Sequence, residues 1–257
     1  MLEVQDVWKV YHPGTVQEKS VFQGFSLTIP DGQFVSVVGS NGSGKTSLLN
    51  LICGSITPDA GQILMDGHSL RREKEYMRAR RIGRVYQNPS MGTCAQMTIL
   101  ENLSLADFKG KPAALQRGTD KRRIDAYRDM LRPLGLGLED MLSSKVGTLS
   151  GGQRQALALL MSTMTPIAFL ILDEHTAALD PKTADVIMEL TGRIVREKQL
   201  TAIMVTHNLR YAVEYGDRLL MMHQGSVVLD KAGEEKKNVQ IEDLLKIFND
   251  ISIECGN

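Results

Sequence analysis

The chain has 257 residues, which is long enough for one large domain, or for a core that carries an inserted subdomain, with a substantial buried interior. Its 30 lysine and arginine side chains balance 30 aspartate and glutamate side chains, so no basic excess favours nucleic acid and we expect no nucleic-acid partner. The cysteines Cys53, Cys94 and Cys255 lie far apart, which argues against a zinc site and against a disulfide framework.

The N-terminal residues and the apolar runs give no sign of a secretory or membrane segment. The first six residues, Met1 to Asp6, have neither the basic start nor the apolar stretch of a signal peptide. The longest apolar region, Ala156 to Leu172, is interrupted by polar residues and by Pro166, and it falls short of a transmembrane helix. We therefore expect a soluble cytosolic protein.

The first part of the chain predicts a strand, a glycine-rich loop and a helix in succession. The strand is Gln33 to Val38, and the helix includes Ser47 to Ile52. Between them, two glycines separated by four residues precede a lysine and a hydroxyl residue, which is the P-loop pattern: Gly39-Ser40-Asn41-Gly42-Ser43-Gly44-Lys45-Thr46. Backbone N–H groups of such a loop surround phosphate oxygens, with Lys45 on the β- and γ-phosphates and the Thr46 hydroxyl on Mg²⁺. The alternative, a glycine-rich turn with a solvated lysine, does not require the complete pattern.

The middle of the chain, from about Thr98 to Met164, is mainly helical in pattern, and we interpret it as a helical subdomain inserted into an α/β core. Helical spacing is clear at Ile124 to Leu131 and at Gln153 to Met161. The polar stretch Lys109 to Arg123 is interpreted as a loop that leads into a solvated helix. Four arginines that precede this region are interpreted as a solvated face: Arg78, Arg80, Arg81 and Arg84.

The segment Leu149-Ser150-Gly151-Gly152-Gln153 opens the second of these helices and predicts another phosphate site. Ser150 suits a helix N-cap, which is the purely structural interpretation. Two glycines with a hydroxyl group at a helix start can also bind phosphate. Since one ATP cannot easily occupy both glycine-rich sites of one chain, the pattern indicates a second copy that faces the first.

Two continuous apolar runs, Ala168 to Leu172 and Thr201 to Thr206, predict strands that are buried on both faces of a parallel sheet. Ligands of such sheets lie beyond the carboxyl ends of the strands, where Gly39, Asp173 and His207 would gather. Asp173 would bind Mg²⁺, Glu174 would orient or deprotonate a water, and His207 would contact the γ-phosphate. A solvated acidic pair and a hydrogen-bonded histidine at a strand end are the alternatives.

Taken in order, these motifs resemble the ATP-binding subunit of an ATP-binding cassette (ABC) transporter over about residues 2 to 230. The resemblance implies an α/β fold: a P-loop NTPase core with a parallel sheet, an N-terminal antiparallel β portion and an inserted helical subdomain. The implied boundaries are an α/β core at 1–90 and 165–230, a helical subdomain at about 95–164 and a C-terminal helical extension at 231–257. Apolar spacing at Ile241, Leu244, Leu245 and Phe248 predicts that this extension packs on its own core.

The resemblance also implies a role for each motif. Walker A is Gly39–Thr46, the Q-loop residue is Gln87, the LSGGQ motif is Leu149–Gln153, Walker B is Phe169–Asp173, and the D-loop is Ala178–Asp180. The catalytic residues would be Glu174, His207 and Gln87, and the Mg²⁺ ligands would be Thr46, Gln87 and Asp173. Nucleotide contacts would come from Tyr11, which stacks on adenine, and from Gly39, Ser40, Asn41, Gly42, Ser43, Gly44, Lys45, Thr46, Ser47, Ser150, Gly151, Gly152, Gln153 and Asp180. His175 departs from the family pattern, in which proline is usual, and this leaves the geometry of the turn and the pH dependence of turnover open.

The implied function is hydrolysis of ATP, with Mg²⁺, to power a membrane transporter. The implied partners are a second copy in a head-to-tail ATP sandwich, transmembrane permease subunits and an extracytoplasmic solute-binding protein. The protein would lie at the cytoplasmic face of the inner membrane. Val146-Gly147-Thr148 and the run from Leu172 to Ala184 resemble a group of bacterial importers of small solutes, for some of which aromatic amino acids have been proposed. A soluble ABC-type ATPase that acts on ribosomes or DNA, and a module that holds ATP without hydrolysis, are the alternatives.

Overall fold

The computed structural model describes residues 1–111, 118, 119 and 121–254. The chain divides into two compact units: Met1–Ala79 together with the chain from Lys198 onward, and Arg80–Glu197. The proposed helical subdomain at about 95–164 lies within the second unit, and its boundaries remain a prediction. Within the predicted polar loop from Lys109 to Arg123, residues 112–117 and 120 lie outside the described residues, and so does Cys255.

The first unit contains eight strands among its described residues. They are β1 (Leu2–Tyr11), β2 (Lys19–Ile29), β3 (Phe34–Gly39), β4 (Ala60–Met65), β5 (His68–Ser69), β8 (Thr201–Val205), β9 (Arg218–His223) and β10 (Ser226–Ala232). Its helices are α1 (Lys45–Cys53), α2 (Glu75–Arg78), α7 (Leu209–Glu214), α8 (Gly233–Lys237) and α9 (Ile241–Glu254). The second unit contains β6 (Ile82–Val85), β7 (Phe169–Asp173), α3 (Ile99–Asp107), α4 (Ile124–Leu131), α5 (Gly151–Thr163) and α6 (Pro181–Glu197).

Two kinds of sheet occur, as predicted. An N-terminal antiparallel sheet has the order β2-β1-β4-β5. In the same unit, strands follow the order β10-β9-β3-β8, in which β3 is parallel to both β8 and β9. In the second unit β6 and β7 pair in parallel. The predicted strands at Gln33–Val38, Ala168–Leu172 and Thr201–Thr206 correspond to β3, β7 and β8 within one residue at each end.

The buried strands explain where the ligand-binding loops begin. Every residue of β3 and of β8 is buried, as expected for parallel strands covered on both faces. Helix α1 follows β3 after a short loop, so the loop lies at the carboxyl end of the strand. The helix ends at Gly54, whose φ of 84° is the left-handed conformation that a glycine adopts at little cost.

The C-terminal helix α9 packs on its own unit, as its spacing predicted. Leu244 is fully buried in a cluster with Val38 and Met221, and Phe248 is partly buried against the same cluster. Leu245 is the exception, because it is 47% exposed. Among the described residues, no helix has the length and apolar character that a membrane span requires.

The prediction of a solvated arginine face is wrong for two of its four members. Arg78 is only 3% exposed, and its guanidinium donates hydrogen bonds to four main-chain carbonyl oxygens, those of Leu51, Ile52, Leu70 and Glu73. Arg84 lies on β6 and forms an ion pair with Asp173. Arg80 is exposed, as expected, and Arg81 is half-buried.

Candidate functional site

The loop between β3 and α1 has the close backbone packing that its glycines permit. A Cβ atom on Gly39 would lie 2.2 Å from the main-chain oxygen of Met222, so no other residue fits there. Gly44 adopts a φ of 104°, and a Cβ atom on it would lie 3.0 Å from the Phe22 ring. Strand, loop and helix therefore occur in the order and conformation that phosphate binding requires.

The Lys45 side chain lies at the centre of this loop. It is 5% exposed, and its Nζ donates to the carbonyl oxygens of Gly39 at 2.7 Å and Ser40 at 2.9 Å. A third contact, at 3.4 Å, is to the Ser43 hydroxyl. The ammonium group thus holds the loop around itself, where it can exchange carbonyl partners for phosphate oxygens.

Two cavities of the first unit open at the loop. One, of about 690 Å³, is lined by Ser40–Ser43, by Lys19 and Val21 of β2, and by the turn from His223 to Ser226. The other, of about 250 Å³, is lined by Gly39, Ser40, Asn41, Thr206 and His207. The structure therefore brings His207 to the loop, as predicted for residues that follow β3 and β8. Phe248 of α9 lines both cavities, which the sequence did not indicate.

Tyr11, at the end of β1, lies beside the helix that follows the loop. Its hydroxyl is 3.2 Å from the Ser47 hydroxyl. The Nζ atom of Lys9 lies 5.7 Å from the centre of the Tyr11 ring. This position is compatible with stacking of the ring on a base, since the hydroxyl is fixed at the rim of the loop.

In the second unit, Asp173 ends β7 and is neutralised by Arg84, an arginine that was predicted to lie on a solvated face. Arg84 donates from NH2 to Asp173 Oδ2 at 2.7 Å, with both side chains 15% exposed or less. The same guanidinium lies 4.7 Å from the centre of the Tyr86 ring, one residue before the exposed Gln87. The sequence signal for this ion pair was a charged residue inside the short, mostly buried strand Ile82–Val85.

The backbone bends sharply after Asp173. Glu174 is half-buried and has a φ of 47°, which is unusual for a residue with a side chain. His175 is 2% exposed, and its Nε2 lies 3.1 Å from the Thr191 hydroxyl of α6. Burial lowers the pKa of His175 to about 4, so the imidazole is neutral near pH 7.

The segment at the start of α5 forms a complete capping box. The Ser150 hydroxyl accepts from Gln153 N at 3.2 Å, and Gln153 Oε1 accepts from Ser150 N at 3.1 Å. Packing also requires a glycine at position 152, because a Cβ atom on Gly152 would lie 2.2 Å from the Thr183 methyl group. Ser150 and Gly151 are nevertheless exposed, so the helix start remains open to an external ligand.

Asp180, which the resemblance places in the D-loop, forms a hydrogen bond within its own unit. Its Oδ1 accepts from Thr183 N at 3.1 Å at the start of α6. Hydrogen bonds from Thr183 lower the pKa of the Asp180 carboxyl. The side chain is exposed and ionised near neutral pH, so it both caps α6 and presents a negative charge to the surface.

The family profile and the relatives that match this chain agree with one another. The ABC transporter family profile matches residues 22–177. A tyrosine transport ATP-binding protein of Clostridioides difficile is 46% identical, over 96% of this chain and 98% of the relative. A phosphonates import ATP-binding protein of Chromohalobacter salexigens is 33% identical, over 90% of this chain and 84% of the relative.

Solved structures show the same fold. A dimeric ATP-binding cassette in a post-hydrolysis state, with ADP and phosphate bound, superposes with a TM-score of 0.76 at 28% identity, over 90% of this chain and 98% of that one. An ATP-binding cassette of an ABC transporter in its ADP conformation gives a TM-score of 0.78 at 24% identity, over 96% of this chain and 98% of that one.

Proposed function

Since the chain belongs to the ABC transporter family as an ATP-binding subunit with ATPase activity, we propose how its residues divide the work of ATP hydrolysis. The observation that carries the proposal is the loop from Gly39 to Thr46 with the Lys45 ammonium buried at its centre. Tyr11 stacks on the adenine, and the loop with Ser47 holds the phosphates. Lys45 exchanges its bonds to the loop carbonyls for β- and γ-phosphate oxygens.

The residues fit Mg²⁺ as the accompanying ion. Thr46, Gln87 and Asp173 supply hydroxyl, amide and carboxylate oxygens, the hard donors that Mg²⁺ prefers. Among the described residues, no group of three His, Cys, Asp or Glu side chains could hold a metal. When bound, Mg²⁺ neutralises charge on the phosphates. Asp173, which pairs with Arg84 through Oδ2, would help to hold the ion through its carboxylate.

A second copy of the chain completes the reaction centre. Ser150, Gly151, Gly152 and Gln153 of one copy close over the γ-phosphate held by the loop of the other, in a head-to-tail arrangement, with Asp180 at the same interface. The exposed start of α5 supports this proposal, and so does the dimeric form of the cassette with bound ADP and phosphate. Closure excludes bulk water and strengthens each electrostatic contact.

The chemical step needs one positioned water. Glu174 accepts a proton from this water as it attacks the γ-phosphorus atom. His207 donates a hydrogen bond to the transferring phosphoryl group, and Gln87 orients the water and signals the nucleotide state. The bond between the γ-phosphorus and the bridging oxygen breaks, and ADP and phosphate leave as the dimer opens.

Opening and closing of the dimer would drive membrane permease subunits at the cytoplasmic face of the membrane. The similarity to a tyrosine transport ATP-binding protein and to a phosphonates import ATP-binding protein supports an importer of a small solute. The 46% identity along nearly the whole chain favours an aromatic amino acid. An extracytoplasmic solute-binding protein would deliver it. Recovery of the tagged chain from detergent-solubilised membranes with a multi-span protein tests this role, and recovery with ribosomes instead would contradict it.

The catalytic assignment is tested by Glu174→Gln. Loss of a positioned base slows turnover about 100- to 10,000-fold. ATP affinity should stay close to that of the parent, because the contacts of the phosphate loop persist. The control is Glu189→Gln, an exposed acid on α6 that should hydrolyse ATP normally. Glu174 is excluded as the base if Glu174→Gln hydrolyses ATP at the parent rate in single-turnover measurements.

A further inference from the structure

The conformation of Glu174 has to be maintained by its surroundings. Its φ of 47° is unfavourable for a residue with a side chain, so the residue relaxes unless neighbouring contacts hold it. One contact is local, from Ala177 N to the carbonyl oxygen of Glu174 at 2.9 Å. This bond closes the turn, but it does not fix the turn relative to the rest of the unit.

The buried side chain of the next residue provides that attachment. The Thr191 hydroxyl donates to the carbonyl oxygen of Ile187 at 2.7 Å, so its hydrogen is already used. Its oxygen must therefore accept the 3.1 Å bond from Nε2–H of His175, which defines the imidazole tautomer. Thr191 is 0% exposed and His175 is 2% exposed, so water does not compete for this bond.

Helix α6 is a rigid anchor for the bond. It spans 17 residues, and Thr191 lies well inside it on the buried face. The loop that starts at Glu174 returns to the same helix at Asp180, whose carboxylate accepts from Thr183 N. The loop is thus attached to α6 at both ends, through His175 and through Asp180.

We propose that His175 is a positioning residue for ATP hydrolysis, which acts by a buried hydrogen bond to Thr191 that holds Glu174 in its left-handed conformation. The proposal rests on the proposed role of Glu174 as the base. Loss of the bond lets the Glu174 backbone relax and moves the carboxylate away from the attacking water. ATP affinity should change little, because the contacts that Tyr11 and the loop around Lys45 make with the nucleotide do not involve the bond between His175 and Thr191.

The test compares three threonine variants of the full chain. Thr191→Val keeps the side-chain volume and removes the acceptor, whereas Thr191→Ser keeps the hydroxyl. Thr163→Val is the matched control: Thr163 is 2% exposed on α5, and its hydroxyl likewise donates to a carbonyl in the preceding turn, that of Leu159 at 2.9 Å. Single-turnover hydrolysis, equilibrium ATP affinity and urea denaturation are measured for each.

We expect Thr191→Val to slow the chemical step about 10- to 100-fold, the range for a misplaced reacting group, with ATP affinity within about twofold of the parent. Thr191→Ser and Thr163→Val should hydrolyse ATP near the parent rate. His175→Gln, whose amide can donate in place of Nε2–H, should retain more activity than His175→Ala. Equal loss of rate in Thr191→Val and Thr163→Val would show a general stability effect and overturn the proposal.

The double variant Glu174→Gln with Thr191→Val separates this proposal from the assignment of the base. If His175 acts through Glu174, adding Thr191→Val to Glu174→Gln lowers the residual rate no further. If Thr191→Val lowers the rate of Glu174→Gln by the same factor as it lowers the rate of the parent, the positioning role of His175 is overturned. The assignment of Glu174 as the base is then retained. A parent-like rate for Glu174→Gln alone would instead overturn the assignment of the base.

Discussion

The Tyr11 hydroxyl and the Ser47 hydroxyl join β1 to the helix that follows the phosphate loop. This contact sets the ring at the edge of the proposed nucleotide site, where its face rather than its hydroxyl would meet the base. The hydroxyl contact is therefore an orienting interaction, and the ring supplies the contact area.

Replacement of Tyr11 by alanine should weaken ATP binding by about 1–3 kcal/mol, the range for stacking of a base on an aromatic side chain. Tyr11→Phe should lose less, since it keeps the ring. Tyr76→Ala, at a tyrosine that is 63% exposed in the same unit, is the control and should bind normally. Equilibrium titration measures all three, and unchanged affinity of Tyr11→Ala would remove the residue from the site.

His175 should make the free energy of unfolding depend on pH. Its pKa is about 4 in the folded chain against about 6.5 when exposed, so between these values the unfolded chain binds more protons. The stability contributed by the neutral imidazole is complete above about pH 6.5 and is lost as the pH falls toward 4, by at most about 3 kcal/mol.

Urea denaturation of the parent and of His175→Gln between pH 4 and pH 7.5 measures this difference. The parent should lose more stability than His175→Gln as the pH falls. His68→Gln, at an exposed histidine, should follow the parent curve. Parallel curves for the parent and His175→Gln would show that His175 titrates normally.

At the scale of elements, sequence patterns located the strands and helices because burial on both faces and helical spacing leave strong signals. The runs at β3, β7 and β8 were mostly apolar, and the predicted helix at Ile124–Leu131 matches α4 at both ends. Partners of single polar side chains could not be predicted in the same way. Arg78 carries no local signal that distinguishes a buried cation from a solvated one, since its partners are main-chain carbonyls, and the identity of the Arg84 partner is not evident because Asp173 is distant in sequence.

The buried Arg78 terminates α1. Its guanidinium donates to Leu51 O at 2.8 Å and Ile52 O at 3.1 Å, and it packs over Gly54. These carbonyl groups at the end of the helix have no partner within it. The helix that follows the phosphate loop therefore depends on one arginine that lies 27 and 26 residues away in sequence from the two carbonyl groups.

Arg78→Met should lower the free energy of unfolding by about 2–4 kcal/mol, since a buried carbonyl left without a partner costs about 1–3 kcal/mol. Arg80→Met, at an exposed arginine two residues away, should change stability by less than about 0.5 kcal/mol. Urea denaturation compares them. Equal midpoints for the two variants would show that the Arg78 bonds do not stabilise α1.

At the scale of the whole molecule, one chain carries both a phosphate loop and an exposed capped glycine segment at the start of α5. The site motifs could be recognised from their order in the sequence, but the local bonds of Ser150 with Gln153 and the packing of Gly152 on Thr183 could not. Gly152 satisfies a packing requirement within one copy, and the exposed Ser150 is available to another.

The sandwich arrangement predicts that Glu174→Gln, which retains ATP, forms a dimer in the presence of ATP and Mg²⁺. Light scattering after size exclusion should give twice the 28.4 kDa of one chain. Adding Ser150→Arg should leave a monomer that still binds ATP, because the longer side chain blocks closure. Adding Ser69→Arg instead, at an exposed serine of β5, should leave the dimer intact. A dimer in the Ser150→Arg variant would contradict the arrangement.

Phe248 of α9 forms a wall of both cavities at the phosphate loop, next to His207. The chain contains a single tryptophan, Trp8 on β1. A chain with Trp8→Phe and Phe248→Trp would therefore carry one indole beside the proposed triphosphate site and none elsewhere. Its fluorescence emission would report occupancy of the loop directly, in an unlabelled protein and during turnover.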